Sequence, residues 1–101
     1  MPRPQKCRRV CALPKFCRFG ALDGSNSTVI QMTVEEYEAV RLMDLENFTQ
    51  EECARQMDIA RPTVQRIYAS ARKKLAEALV NGGALYIGGG CYSVCNRTAN
   101  C

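Results

Sequence analysis

The sequence predicts a mainly α fold: a three-helix helix-turn-helix domain with short strands and cysteine-bearing arms at both termini. Three observations predict it. Two helix-start boxes stand at Thr33-Val34-Glu35-Glu36 and Thr49-Gln50-Glu51-Glu52. Apolar residues recur at steps of three and four from Val64 to Leu79. Most Pro, Gly and Cys residues fall outside the helical stretch. At 101 residues the chain has room for one domain with a modest core, and a second domain is excluded. The expected division is a basic arm over 1–32, the helical domain over 33–80, and a Gly/Cys-rich tail over 81–101 packed near the arm.

Taken in order, the arm holds Pro2, Pro4, Pro14, Gly20 and Gly24 and reads as loop, with one short strand near Arg9-Val10. Thr33 then caps a helix that runs to about Leu45, with Val34, Tyr37, Val40 and Leu45 on one broad face. Leu42 and Met43 fall off that face, so this helix is either buried on two sides or offers one side to a partner. Glu35, Glu36 and Glu38 read as anions at the positive end of the helix dipole rather than as catalytic carboxylates. Thr49 caps a short second helix ending near Met57. A third begins close to Pro62, where the missing N–H costs nothing, and carries Val64, Ile67, Tyr68, Ala71, Leu75, Ala78 and Leu79 on one stripe. Asn81-Gly82-Gly83 stops it, and Ala84 to Ile87 reads as a short strand before Gly88-Gly89-Gly90.

The composition, 47% hydrophobic and 24% charged, is that of an ordinary globular chain. With no histidine, the Ser-His, Cys-His and His-metal devices of catalysis are absent, and no enzyme is expected. No run approaches signal-peptide or membrane-spanning length, so a cytoplasmic protein without a membrane partner is expected. The three Asn-x-Ser/Thr triplets at Asn26, Asn47 and Asn96 then read as chance. The net charge of +4 is unevenly spread. Residues 1–20 hold six basic residues and no acid, residues 21–60 hold nine acids, and residues 61–101 hold six basic residues against Glu77 alone. A polyanion could engage the basic blocks while the acidic middle faces elsewhere; the plainer alternative is a mixed solvated surface.

Two helices joined by about three residues, the second long and basic, outline a helix-turn-helix. Cys53, Met57, Ile59, Val64 and Ile67 supply the apolar contacts between them, and Ala54 suits the close crossing. Two positions depart from the usual pattern. Asp58 stands at the turn position that favours Gly, although Asp tolerates positive φ, and Ala60 forfeits an N-cap at about 1 kcal/mol. Opposite the apolar stripe lie Arg61, Pro62, Gln65, Arg66, Ala69, Arg72 and Lys73. The candidate DNA-contacting residues are Arg61, Thr63, Gln65, Arg66, Arg72 and Lys73. Arg61, Gln65 and Arg66 suit base edges, while Arg72, Lys73 and Lys74 suit phosphates. Pro2-Arg3-Pro4 reads as a solvated terminus, with insertion of Arg3 into a minor groove as the alternative.

From Glu38 to Leu79, with Glu-Ala-Val-Arg-Leu-Met-Asp-Leu-Glu-Asn-Phe-Thr-Gln-Glu-Glu-Cys-Ala and Arg-Pro-Thr-Val-Gln-Arg-Ile-Tyr-Ala-Ser-Ala-Arg-Lys-Lys-Leu, the chain resembles the fourth region of bacterial sigma factors. That region reads the promoter −35 element. With Pro-Arg-Pro-Gln-Lys-Cys-Arg-Arg-Val at the start and Ala78 to Leu85, residues 1–92 are similar to a small prokaryotic family of uncharacterised, predicted DNA-binding proteins. The resemblance implies DNA binding by the helix-turn-helix. It supplies no catalytic residue and does not extend to the tail bearing Cys95 and Cys101.

Seven cysteines in so short a chain form a pattern of their own. Cys53 falls on the apolar face of the second helix; the rest form two triplets, Cys7, Cys11, Cys17 and Cys91, Cys95, Cys101, each with three and then five intervening residues. The repeated spacing predicts two ligand sets that meet in space, by way of a strand near Val10 pairing with Tyr86-Ile87. All six are candidate metal ligands. Four could hold zinc or an iron–sulfur cluster, and six could bridge two zinc ions. Arg8, Arg9 and Arg18 are expected to lower the thiol pKa values. Reversible disulfides acting as a redox sensor, and unconnected free thiols, are the alternatives.

The reading that results is a sequence-specific DNA-binding protein and transcriptional regulator, metal- or redox-responsive through its terminal cysteines, acting as a homodimer on two half-sites. Two alternatives stand beside it: a metal-cluster or electron-transfer protein with a supporting helical scaffold, and a sigma-like protein that binds RNA polymerase.

Overall fold

Thr33 and Thr49 open helices in the way their boxes predict. In the computed structural model, which describes residues 8–26, 28–90 and 92–94, the Thr33 hydroxyl accepts from the Glu36 N–H at 3.2 Å, and the Glu36 carboxylate accepts from the Thr33 N–H at 2.9 Å. Thr49 and Glu52 repeat the exchange at 3.1 and 2.8 Å. Each box satisfies two donors that a helix start otherwise leaves open. Helix α1 spans Val34–Val40 and continues as a π-helical turn over Arg41–Leu45, where the Glu46 N–H reaches the Arg41 carbonyl at 3.0 Å. Helix α2 spans Gln50–Met57 and α3 spans Arg61–Asn81, the latter about 30 Å long. Gly82, at φ 74°, ends α3 in the left-handed conformation that a side chain would disfavour.

The strands lie outside this helical stretch. They are β1 (Arg8–Val10), β2 (Arg18–Phe19), β3 (Val29–Met32), β4 (Ala84–Ile87) and β5 (Tyr92–Val94). A three-stranded sheet has β4 at its centre: β3 runs parallel on one side, from Val29↔Ala84 to Met32↔Ile87, and β2 antiparallel on the other, through Arg18↔Tyr86 and Phe19↔Leu85. The segment expected as loop before Thr33 thus contributes two strands. A second, two-stranded sheet joins β1 to β5 in parallel. The expected partner of the Val10 strand, Tyr86-Ile87, is corrected by this topology. Both edges of β4 are already occupied by β2 and β3, so the N-terminal strand pairs with Tyr92–Val94 instead.

Two apolar clusters form the core, and α1 borders both. Ala39, Leu42, Cys53, Met57, Val64 and Ile67 pack α1, α2 and α3 together. Met32, Ala71, Leu85 and Ile87 join α3 to the sheet, with Tyr37, Val40 and Leu75 against them. Burial of each large aliphatic side chain is worth about 1.5–3 kcal/mol. Of the two expectations for α1, burial on two sides is the one observed. Leu45, expected on the packed face, is 71% exposed because the π-turn shifts the side chains that follow Val40 out of α-helical register.

Mainly α with a small mixed sheet is therefore the architecture. No described helix is long and apolar enough to cross a membrane.

Candidate nucleic-acid interface

The α2–α3 connection sets the geometry of the exposed basic face. Asp58 adopts φ 58°, ψ 48°, the left-handed conformation its position in the turn requires. The Ile59 N–H reaches back to the Ala54 carbonyl at 3.0 Å and the Asp58 N–H to the Arg55 carbonyl at 3.3 Å, the paired bonds of a Schellman ending. Ala60, extended at φ −75°, ψ 153°, makes no side-chain cap. The Thr63 and Val64 N–H groups bond to its carbonyl at 3.0 and 3.1 Å. The turn thus brings two helices into contact through Cys53, Met57 and Val64, all fully buried.

On the opposite side of α3, Arg61, Gln65, Arg66, Arg72 and Lys73 are exposed together, and Thr63 is half-buried beside Ala54 and Ile59. Arg66 and Lys73 have no hydrogen-bond or ion-pair partner among the described residues. Arg61 and Gln65 are held in place by a residue the sequence did not single out: Gln50, at the start of α2, accepts from Arg61 Nε and Gln65 Nε2, each at 3.0 Å. Arg61 also approaches Glu51 at 3.6 Å, an exposed pair of small energetic weight. Arg72 lies 5.4 Å from the Tyr68 ring centre and donates to its hydroxyl at 2.9 Å, while that hydroxyl donates to Asp44 at 2.6 Å. The bond to Asp44 leads the upward shift of the Tyr68 phenol pKa. No local pattern marks Gln50 or Asp44, because their partners are 11 to 24 residues away in sequence.

Lys74 requires a correction. It does not join Lys73 on the exposed basic face; it turns inward to Glu36 at 2.7 Å, where Ser70 Oγ also donates at 2.6 Å. Burial opposes ionisation of Glu36, yet the bonds from Lys74, Ser70 and the Thr33 N–H outweigh it and hold the carboxyl below its ordinary range. One glutamate therefore caps α1 and fastens it to α3. Glu38 is similarly consumed: fully buried, it pairs with Arg41 through two bonds of 2.9 Å and accepts from the Cys11 N–H at 3.2 Å.

Strand β1 reaches the same unit. Arg9 donates to the Gln56 carbonyl at 2.9 Å and to the Arg55 carbonyl at 3.2 Å, setting a positive charge against the carbonyl end of α2. Arg8 turns inward, 3.5 Å from Glu35. Arg9 acts on the Cys11 thiol in the expected direction but is outweighed. The Cys11 pKa is raised, chiefly by burial and then by Glu38, and the lowering effects of the Gln56 bond and Arg9 do not reverse it. Gln56 Nε2 donates to Cys11 Sγ at 2.9 Å. Cys17 is exposed, and Cys53 is a core residue whose thiol burial pushes up to about 11. Cys7, Cys91, Cys95 and Cys101 lie outside the described residues, as do Arg3 and its flanking prolines. Among the described residues no group of three or more metal-ligating side chains converges.

A separate apolar groove of about 520 Å³ runs between α1, the far half of α3 and the sheet, lined by Phe19, Tyr37, Val40, Leu75, Leu79 and Leu85 among others. It stands apart from the basic face, whose residues precede it on α3.

Comparison with known proteins bears on kinship. The chain is 58% identical over 102 residues to a UPF0251 protein of Desulfitobacterium hafniense (strain Y51), covering 99% of this chain and 82% of that protein. It is 54% identical over 101 residues to a UPF0251 protein of Caldicellulosiruptor bescii, covering 100% of this chain and 71% of the relative. For a UPF0251 protein of Pelotomaculum thermopropionicum the identity is 48% over 103 residues, covering 100% and 78%. No solved structure matches the chain. Residues 1–95 match the family model described as "Protein of unknown function DUF134", and with relatives this similar along its whole length the chain belongs to that family.

Proposed function

We propose that this chain is a sequence-specific DNA-binding protein, a transcriptional regulator whose recognition helix is the first half of α3. The observation that carries the reading is the exposed face bearing Arg61, Gln65, Arg66 and Lys73, two of whose cations have no partner among the described residues. A guanidinium held ready but unpaired is suited to the O6/N7 edge of guanine, and an amide to adenine. Gln50 fixes Arg61 and Gln65 before any ligand arrives, which reduces the side-chain entropy lost on docking. Lys73, two turns further on, is suited to a phosphate, which positions without specifying.

The protein binds as a homodimer in the cytoplasm. One such unit buries only about 600–1,000 Å² on DNA, too little for tight binding at a single half-site. Leu79 and Val80 are exposed at 84% and 81% on the far half of α3, beside the apolar groove, and support pairing with a second copy. The role is binding rather than catalysis.

The test is selection of binding sites from a random duplex library, followed by anisotropy titrations over a range of salt. A common motif should emerge, and affinity should fall linearly on a log–log plot as salt rises. No enrichment of sequence, together with no salt dependence, would remove the proposal. Capture of RNA polymerase without DNA binding would replace it with the sigma-like reading.

A further inference from the structure

We infer that Asp44 is a positioning residue for the DNA-contacting face: acting through the Tyr68 hydroxyl, it holds the Arg72 guanidinium ready for a phosphate of the duplex. This rests on the reading of α3 as a DNA-contacting helix, and adds to it a residue outside that helix on which a contact depends. Arg61, Gln65, Tyr68 and Arg72 follow one another at steps of four, three and four, so they form a single stripe along α3. Two residues that bracket the connection between α1 and α2 hold that stripe. Gln50 accepts from Arg61 and Gln65, each at 3.0 Å, and Asp44 accepts from the Tyr68 hydroxyl at 2.6 Å. Tyr68 passes the restraint on: its hydroxyl accepts from Arg72 Nη1 at 2.9 Å, and its ring centre lies 5.4 Å from the guanidinium carbon.

The bonds run in one direction. A phenol has one proton, here committed to Asp44, which leaves an oxygen lone pair to meet Arg72. The other Arg72 donors have no hydrogen-bond partner among the described residues, so the guanidinium is anchored at one nitrogen and open at the rest. Asp44 sits in the π-helical turn Arg41–Leu45, which departs from α-helical geometry at the cost of leaving Leu45 71% exposed. Turns of this kind recur at functional sites. Asp44 and Arg72 are exposed and Tyr68 is only half-buried, so these bonds add little to stability. What they supply is order: a guanidinium already fixed loses less side-chain entropy on meeting a phosphate.

The experiment measures binding of the full chain and its variants, by anisotropy at fixed salt, to a duplex carrying the selected motif. Removing an acid from the edge of a polyanion-binding face tightens binding by charge alone. Positioning predicts the opposite sign. Asp44→Ala should weaken binding by about 2- to 10-fold, and alike for every sequence, because a phosphate contact does not specify. Asp44→Asn, which keeps an acceptor oxygen, should restore most of that loss. Tyr68→Phe keeps the ring and removes the hydroxyl, and should weaken binding as Asp44→Ala does. In a chain already carrying Arg72→Ala, neither change should weaken binding further, whereas a merely structural role would persist on that background. Without DNA, the Tyr68 phenol, assigned in ring-labelled NMR spectra by its loss in Tyr68→Phe, should titrate at lower pH in Asp44→Ala than in wild type. Binding that Asp44→Ala leaves unchanged or tightens, a weakening that survives Arg72→Ala, or a phenol that does not shift would overturn the inference and leave the DNA-binding proposal standing. A wild-type chain that binds no duplex would overturn both.

Discussion

Replacing Glu36 with Gln tests the tie between the cap of α1 and helix α3. The carboxylate accepts from the Thr33 N–H at 2.9 Å, Ser70 Oγ at 2.6 Å and Lys74 Nζ at 2.7 Å. A glutamine has one acceptor oxygen in place of two and no charge to meet Lys74. Bonds to charged partners are worth about 1.5–3 kcal/mol each, and Lys74 is 27% exposed, so water recovers part of that loss. We expect a net loss of about 2 kcal/mol, which in a domain of this size lowers Tm by roughly 8–16 °C in thermal denaturation followed by circular dichroism. The pH dependence supplies a second check. The folded-state pKa of Glu36 is lowered from its ordinary 4.5, so its contribution is fully present above the unfolded value and is lost as pH falls through the folded one. The difference in stability between wild type and Glu36→Gln should therefore be full at neutral pH and narrow below about 4.5. A variant as stable as wild type, or a gap that does not change with acid, would refute the reasoning.

Three further outcomes follow from the same geometry. Ala60→Ser places a hydroxyl at an N-cap whose backbone is already extended, and should stabilise the protein by about 1 kcal/mol, raising Tm by roughly 4–8 °C. Arg66→Ala should relax base preference at one position of the selected site by about 1–3 kcal/mol, whereas Lys73→Ala should weaken all sequences alike and reduce the salt slope by about 1, both read by anisotropy. Leu79→Asp, at a side chain 84% exposed beside the groove, should shift the sedimentation coefficient from dimer to monomer.

What the sequence disclosed was mostly local. Thr33 and Glu36, Thr49 and Glu52, Asp58 and Gly82 act within a few residues of themselves, and their chemistry reads directly as helix starts and stops. The long contacts were less legible. Val29 to Met32 alternates outward and inward in the fold, with Ile30 and Met32 facing the core, but the apolar yet exposed Val29 hides that alternation in the sequence, and the strand's partner is β4, more than fifty residues on. Arg9 at the end of α2 and Lys74 on Glu36 gave no local sign, because surface-looking cations were recruited by acceptors far away in sequence. On the candidate interface, the helical face was legible from periodicity. The split between unpartnered Arg66 and Lys73 and the engaged Arg61, Gln65 and Arg72 was not.

The pairing of β1 with β5 also fixes an order of events during synthesis. Its partners are 84 residues apart, and bringing them together costs about 4 kcal/mol of chain entropy, more than so short a ladder returns early. The three helices can collapse before Tyr92 leaves the ribosome, while β1 docks on them through Arg9 and buried Val10 and waits. Completion of the ladder is then a late zipping step onto a formed body, and the nascent chain carries an open β1 edge until it happens.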